Sequence, residues 1–176
     1  MCSIITHPIV PVAMAAVFPR QSLSSGIVVA GAICSVIPDL DVIGFKFGIE
    51  YGDLLGHRGL THSILFAAVL GGALTVFMAE RQARSRLPVF LFLFLSTLSH
   101  PLLDAMTSGG LGVALFAPFQ NDRYFFPWRP IRVSPIGVGS FISARGLLVL
   151  WSELLWVWIP SALLYSAAHF FKSRKV

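Results

Sequence analysis

At 176 residues the chain is long enough for one domain. Its 56% hydrophobic and 12% charged residues, with a mean hydropathy of +0.79, exclude an ordinary soluble fold, which is about 45–50% apolar and about 25% charged. The net charge of +5 does not point to nucleic acid either, because the basic residues are spread over short loops and the aromatics sit among apolar neighbours.

The composition is that of a membrane protein, read as a single membrane-embedded domain over residues 1–176, with the bilayer surface as the partner of its positive charge. The N-terminus lacks a basic n-region and a small-residue cleavage site, so the apolar segments are expected to be retained as spans. Cys2 and Cys34 are too few and too scattered for a disulfide framework or a thiolate metal site. No period of 20 to 50 residues stands out and the two halves do not resemble each other, which weighs against an inverted-repeat transporter.

In chain order, residues 8–18 form an apolar run of about 11 residues, roughly 16 Å as a helix, too short to cross a hydrocarbon core of about 30 Å. Pro19 and Arg20 break it. Ser22 to Ser25 are placed to cap a second helix that runs to Ile37 and stops at Pro38-Asp39. Residues 42–56 are glycine-rich with Lys46, Glu50 and Asp53, a loop or interfacial stretch. Residues 60–79 are almost uninterrupted apolar and long enough to span. A basic turn carrying Arg81, Arg84 and Arg86 leads into a further apolar run over 87–98, so the two form an antiparallel pair. Residues 107–146 hold Gly109, Gly110, Gly112, Pro118, Pro127, Pro130, Pro135, Gly137 and Gly139 among Phe and Trp, a long structured loop on or in the interface. The last span, over 146–171, contains Pro160, where a kink is expected. The expected fold is all-α and polytopic, with about four to five transmembrane or partly inserted helices and that loop before the last one.

The positive-inside rule orients the chain. With Arg20, Arg81, Arg84, Arg86, Lys172, Arg174 and Lys175 cytoplasmic, seven basic residues lie inside against six outside, and only Glu80 of the acids is inside. The C-terminus is then cytoplasmic. His7, Asp39, Asp41, His57, His62, His100 and Asp104 all fall at the outer ends of their segments, and reversing the orientation keeps them together.

Those residues lie in four stretches: Thr6-His7-Pro8, Pro38-Asp39-Leu40-Asp41, His57-Arg58-Gly59-Leu60-Thr61-His62-Ser63 and His100-Pro101-Leu102-Leu103-Asp104. His100 and Asp104 are four apart, so a helix points both at one ion, although Pro101 puts the regularity of that helix in question. His57 and His62 are about 140° apart round a helix and share a metal only if His57 sits on the loop before it, which Gly59 permits. Asp39 and Asp41 diverge in either regular structure, so one is expected to ligate and the other to orient a histidine. A single histidine is most often a satisfied core or interfacial residue, and mutual ion pairing is the simplest alternative for the set. Ionisable groups at membrane depth cost about 2.5–3.5 kcal/mol each on the lenient scale, and a shared cation offsets that cost best. Histidine nitrogen and carboxylate oxygen without thiolate suit Zn²⁺, Mn²⁺ or Fe²⁺, as one or more ions. A site of that kind lowers the pKa of a bound water and directs the hydroxide at an ester or phosphoester.

Of the outward arginines Arg58, Arg123, Arg129, Arg132 and Arg145, headgroup contact is the simple account and a bidentate clamp on phosphate or carboxylate the sharper one, with Arg58 and Arg123 nearest the motifs. Glu153 lies roughly 10 Å along the final helix from Gly146, near enough either to join the site or to pair with an arginine. His169, at the opposite end, is read as interfacial.

Taken together the four stretches, with Ala117-Pro118-Phe119 and Arg123-Tyr124-Phe125-Phe126-Pro127-Trp128-Arg129-Pro130, resemble the YdjM family of LexA-binding, inner-membrane-associated metal-dependent hydrolases. The resemblance covers most of the chain. It implies a bacterial inner-membrane location, a LexA link, and a distant likeness to the zinc-dependent phospholipase C and single-strand nuclease group, with an all-helical fold and a multi-metal site. Carried over by motif, His7, Asp39, His57, His62, His100 and Asp104 are the implied ligands, with Asp41 adjacent. The chain departs from that wider group in lacking an N-terminal tryptophan ligand and a long helical bundle outside the membrane.

The resulting expectation is a membrane hydrolase with a divalent metal, zinc first, acting on a lipid-linked or amphipathic substrate. Asp41, Arg58, Arg123 and Glu153 are the candidates for catalytic roles around the metal. A proton or ion transporter using the same cluster as a relay, and a non-enzymatic membrane regulator or scaffold, are the alternatives.

Overall fold

The structure, a computed structural model, describes residues 1–19, 21–81, 85–135 and 138–174. Arg20, Arg84 and Lys175, used above to orient the chain, lie outside the described residues, as does Gly137.

The polypeptide is built almost wholly of helix. Helix α1 (Ile9–Ala15) begins directly after Pro8. Helix α2 (Ser25–Cys34) is started by Ser24, whose hydroxyl oxygen accepts a hydrogen bond from the Ile27 amide, the usual way of satisfying an orphan first-turn donor. The chain does not stop at Pro38-Asp39. It tightens into a 3₁₀ segment, Ile37–Phe47, which ends at Gly48 in the left-handed region (φ 77°). Pro38 falls at the start of that segment, where its missing N–H costs nothing.

Tight turns over residues 50–59 lead into a single 3₁₀ turn, Leu60–His62, and helix α3 (Ile64–Arg81) follows. The long apolar stretch therefore becomes a helix only from Ile64, because Gly59 to His62 are drawn into the turn that positions His62. Helix α4 (Arg86–Ala105) keeps Pro101 inside it. Short α5 (Val138–Phe141) and α6 (Ala144–Glu153) come next. A π turn, Leu154–Trp158, joins α6 to α7 (Ile159–Ser173). The distortion expected at Pro160 takes this form: it precedes the proline, which sits in the first turn of α7 and needs no partner for its nitrogen.

Three continuous helical segments are long and apolar enough to cross a membrane, Ser25–Phe47, Arg86–Ala105 and Ala144–Ser173, and Ile64–Met78 is a shorter apolar helix. With the short α1 these make up the four to five segments expected. Val29, Ile33, Val69, Val76, Leu163 and Phe171 are exposed on their flanks, as lipid contact requires.

Helices α3 and α4 form the most extensive packed pair. Helices α2 and α4 meet over a core of Ile27, Cys34, Val89, Phe92 and Leu93. Gly31 makes that approach possible, since a Cβ there would lie 2.4 Å from a ring carbon of Phe92. In α4 the hydroxyls of Ser96 and Thr97 donate to the carbonyls of Phe92 and Leu93, so neither is left unpaired at membrane depth.

Among the described residues there are no strands. The loop after α4 is held by two isolated bridges, Thr107 with Ile131 and Val113 with Tyr124. It is tied to the rest by the Ala114 amide donating to the Arg58 carbonyl, the Ile64 amide to the Leu115 carbonyl and the Phe126 amide to the Ala105 carbonyl. It therefore forms a structured cap over one end of the bundle.

Candidate metal centre

Helix α4 places His100 and Asp104 one turn apart on its buried face, and Pro101 leaves that face intact. The first turn of the 3₁₀ segment brings in Asp39, and the 3₁₀ turn before α3 ends on His62. One ligand atom from each of Asp39, His62, His100 and Asp104 lies within 4.8 Å of all the others. The two Nε2 atoms of His62 and His100 are 3.0 Å apart. His100 Nε2 is 3.4 Å from Asp39 Oδ1. His62 Nε2 is 3.8 Å from both Asp39 Oδ1 and Asp104 Oδ2. A tetrahedral ion bound at about 2.0–2.2 Å separates its ligands by roughly 3.4 Å, so these spacings fit one ion.

The tautomers sharpen the fit. His100 Nδ1 lies 2.7 Å from the carbonyl oxygen of Ser35, which can only accept, so the proton is on Nδ1. His62 Nδ1 lies 3.2 Å from the Asp41 carboxylate, and the same reasoning puts its proton there. In their neutral forms both rings then turn the Nε2 lone pair toward each other. Beside them the two carboxylate oxygens of Asp39 and the two ring nitrogens of His7 are buried with no hydrogen-bond partner among the described residues. Buried polar groups are rarely left so. His7 stacks on His100 with ring centroids 3.7 Å apart, and its Nε2 is 3.8 Å from Asp104 Oδ1. Burial, with His100 alongside, holds the His7 imidazole down at about 3, and burial lowers His62 against the pull of Asp41. Both rings are therefore neutral, as ligands must be. This buried His/Asp group could hold a metal ion.

Asp41 organises the approach. One oxygen accepts from His57 Nδ1 at 2.7 Å, and the other from the Arg58 amide at 3.1 Å and the Thr61 hydroxyl at 2.8 Å. Asp41, His57 and His62 form a second group of metal-competent atoms, but hydrogen bonds already account for the contacts between them. His57 is thus placed on Asp41 and away from the Asp39 group, and Asp41 sets the orientation of His62.

The family model described as YdjM inner membrane protein matches residues 1–175. The chain belongs to the YdjM family. It is 42% identical over 165 residues to "Inner membrane protein YbcI" of Escherichia coli (strain K12), an alignment covering 93% of this chain and 95% of that protein. No solved structure matches. With its apolar helices, membership places the protein in the inner membrane.

The remaining candidates of this YdjM-family protein are engaged by its own groups. Arg58 is fully buried. Its Nε donates to Asp104 Oδ2, and its two terminal nitrogens donate to the Gly109 carbonyl and the Thr107 hydroxyl, each at 3.0 Å. It is also the one non-glycine with positive φ (66°) among the described residues. Gly59 beside it is needed for a different reason, because a Cβ there would lie 2.2 Å from the Leu54 carbonyl oxygen. Arg123 donates to the carbonyls of His57, Tyr51 and Asp53 and so fastens the loop carrying His57. Among the described residues Glu153 pairs with no arginine. It accepts from the Ser3 amide and hydroxyl and, at 2.7 Å, from the Thr6 hydroxyl, which fixes the turn bearing His7. The Ser35 carbonyl and Thr61 also shape the site. Thr61 was visible beside His62, whereas a backbone acceptor leaves no trace in the residue string.

The Arg58 clamp predicts that Arg58→Met, which leaves buried Asp104 without its guanidinium partner, costs about 3–5 kcal/mol, while the exposed Lys46→Met changes stability by less than about 0.5 kcal/mol. Thermal unfolding in detergent measures both. Equal midpoints would contradict the clamp.

Proposed function

We propose that the protein is a membrane-embedded hydrolase that binds a divalent metal through Asp39, His62, His100 and Asp104, with His7 as a further nitrogen ligand. The single observation that carries this reading is the approach of the two imidazole Nε2 atoms to 3.0 Å beside an Asp39 carboxylate with no hydrogen-bond partner among the described residues. Nitrogen and oxygen donors without thiolate favour zinc, with manganese or iron as substitutes. A divalent ion bound in such a site acts as a Lewis acid and acidifies water, the chemistry of ester and phosphoester hydrolysis. Asp41 holds the protonated Nδ1 of His62 and, through His57, the turn behind it. Arg58 holds Asp104 in place through its Oδ2.

The substrate proposed is lipid-like or lipid-linked. An open groove of about 450 Å³ lined by Pro8, Val12, Val29, Ile33, Ile37 and Leu40 supports this, since Pro8 follows His7 and Leu40 separates Asp39 from Asp41. We place the site at the outer face with the C-terminus in the cytoplasm, on the charge balance of the chain.

Metal analysis of purified protein is expected to find a stoichiometric divalent ion in wild type, lost in His62→Ala and Asp39→Asn together with hydrolysis of a short-chain ester or phosphoester probe. Equally low metal in all three proteins would leave a non-enzymatic membrane regulator. For orientation, a C-terminal fluorescent-protein fusion is expected to glow and an alkaline phosphatase fusion to be inactive. The opposite pattern would reverse the topology.

A further inference from the structure

Two stretches at the end of the molecule that carries the His/Asp group turn large apolar side chains outward. Where the 3₁₀ segment runs into the turns after it, Phe47 is 79% exposed, with Phe45, Leu54 and Leu55 exposed nearby in the chain. In the cap, Phe119 is 85% exposed and Phe116 is exposed as well. Single exposed apolar side chains need no explanation, but a group of them marks a contact with protein or membrane.

Arg123 joins the two stretches. From the cap it donates to the carbonyls of Tyr51 and Asp53, with its guanidinium carbon 5.7 Å from the centre of the Tyr51 ring. The next residue, Tyr124, packs edge to face on Phe116, ring centroids 5.6 Å apart. On the inner side the first stretch rests on the site. Phe45 and Tyr51 both meet the His57 ring edge to face, at 6.3 and 5.1 Å between centroids, and His57 is hydrogen-bonded to Asp41.

What covers this surface follows from what it continues. Helix α4 has 20 residues, about 30 Å, which is the thickness of a hydrocarbon core, so the chain beyond Ala105 leaves its span at the boundary. The Ile64 amide at the start of α3 donates to the Leu115 carbonyl, which brings the cap next to the exposed Ile64 and Leu65. In the other stretch, exposed Leu40 and Ile43 carry the apolar surface of the Ser25–Phe47 segment up to Phe45 and Phe47. Both stretches therefore prolong flanks that already face lipid. Charge decides the kind of contact. Glu50, Asp53 and Asp122 stand among these residues against Lys46 and Arg123, so no excess of positive charge is present to attract anionic headgroups. The contact rests on apolar side chains, and phenylalanine and leucine are suited to burial at the boundary between headgroups and acyl chains.

We propose that Phe47, Leu55, Phe116 and Phe119 anchor these two stretches in the boundary between headgroups and acyl chains of the adjoining leaflet. The partner is the phospholipid surface itself. The cover over the His/Asp group then lies in lipid and not in water, and the anchor stands whether or not that group holds a metal.

The test uses the full chain in phosphatidylcholine nanodiscs, where both faces are open to aqueous quenchers. Cys2 and Cys34 are buried, so in F47C and F119C an environment-sensitive maleimide dye labels the added thiol. Both substitutions fall at exposed positions, where stability changes little. V69C, on the exposed flank of α3, is the control within the acyl region. Both anchor labels are expected to emit blue-shifted light as V69C does and to lose quenching by iodide. A nitroxide at the top of the acyl chain is expected to quench them most strongly, whereas V69C is quenched most by one further down. Iodide quenching of either anchor label to the extent seen for the free dye overturns the proposal, because that stretch is then in water. Shielding of either label from both iodide and every nitroxide lipid also overturns it, because protein, such as a second copy of the chain, then covers the surface.

Discussion

Two imidazoles meet nitrogen to nitrogen, His62 Nε2 to His100 Nε2 at 3.0 Å, and the rest of the molecule is arranged around that contact. Each ring is held in it from behind, His100 by the Ser35 carbonyl and His62 by Asp41. Where both rings are neutral in these tautomers their Nε2 lone pairs repel, and both rings are fully buried. Asp39 lies on one side and His7 on the other, with buried polar atoms that have no hydrogen-bond partner among the described residues, and a cation could be held between them. In a membrane protein the matter weighs more, because uncompensated polar groups in hydrocarbon are costly.

The scaffold answers by bringing the ends of four helical segments to one place and locking them with a small number of polar ties. Arg58 reaches through the turn before α3 to Asp104 and to the loop beyond α4. Arg123 returns from that loop to the carbonyls of the turn. Glu153, at the last residue of α6 where the π turn begins, fixes the N-terminal turn that carries His7. The Trp158 indole donates to the same Thr6 hydroxyl. At the other end Lys172 donates to the Phe18 carbonyl, so α1 and α7 are tied at both ends.

Much of this architecture is legible in the residue string, for physical reasons. Apolar run lengths reveal a membrane fold, because hydrocarbon tolerates little else, and the proline- and glycine-rich loop before the last helix is as clear. The four polar stretches stand out against a greasy background and do converge in space. Less visible was what depends on local geometry. The 60–79 run yields a helix only from Ile64, because the turn that delivers His62 consumes its beginning. Pro101 was an ambiguous signal, and it is tolerated inside α4 with the face of His100 and Asp104 unbroken. The string could not say which donors of Arg58 and Arg123 would be spent inside the protein, nor that Glu153 would find hydroxyls and an amide rather than a guanidinium. The exchange between His57 and Asp41, which takes His57 away from the Asp39 group, depends on a left-handed Arg58, and no spacing rule anticipates that.

X-ray absorption spectroscopy of the zinc-loaded protein in detergent tests the central claim most directly. A first shell of nitrogen and oxygen at about 2.0–2.2 Å without sulfur, carrying the outer-shell scattering of at least two imidazoles, is the result this account predicts. A spectrum of water oxygens alone, or a shell containing thiolate sulfur, would contradict it.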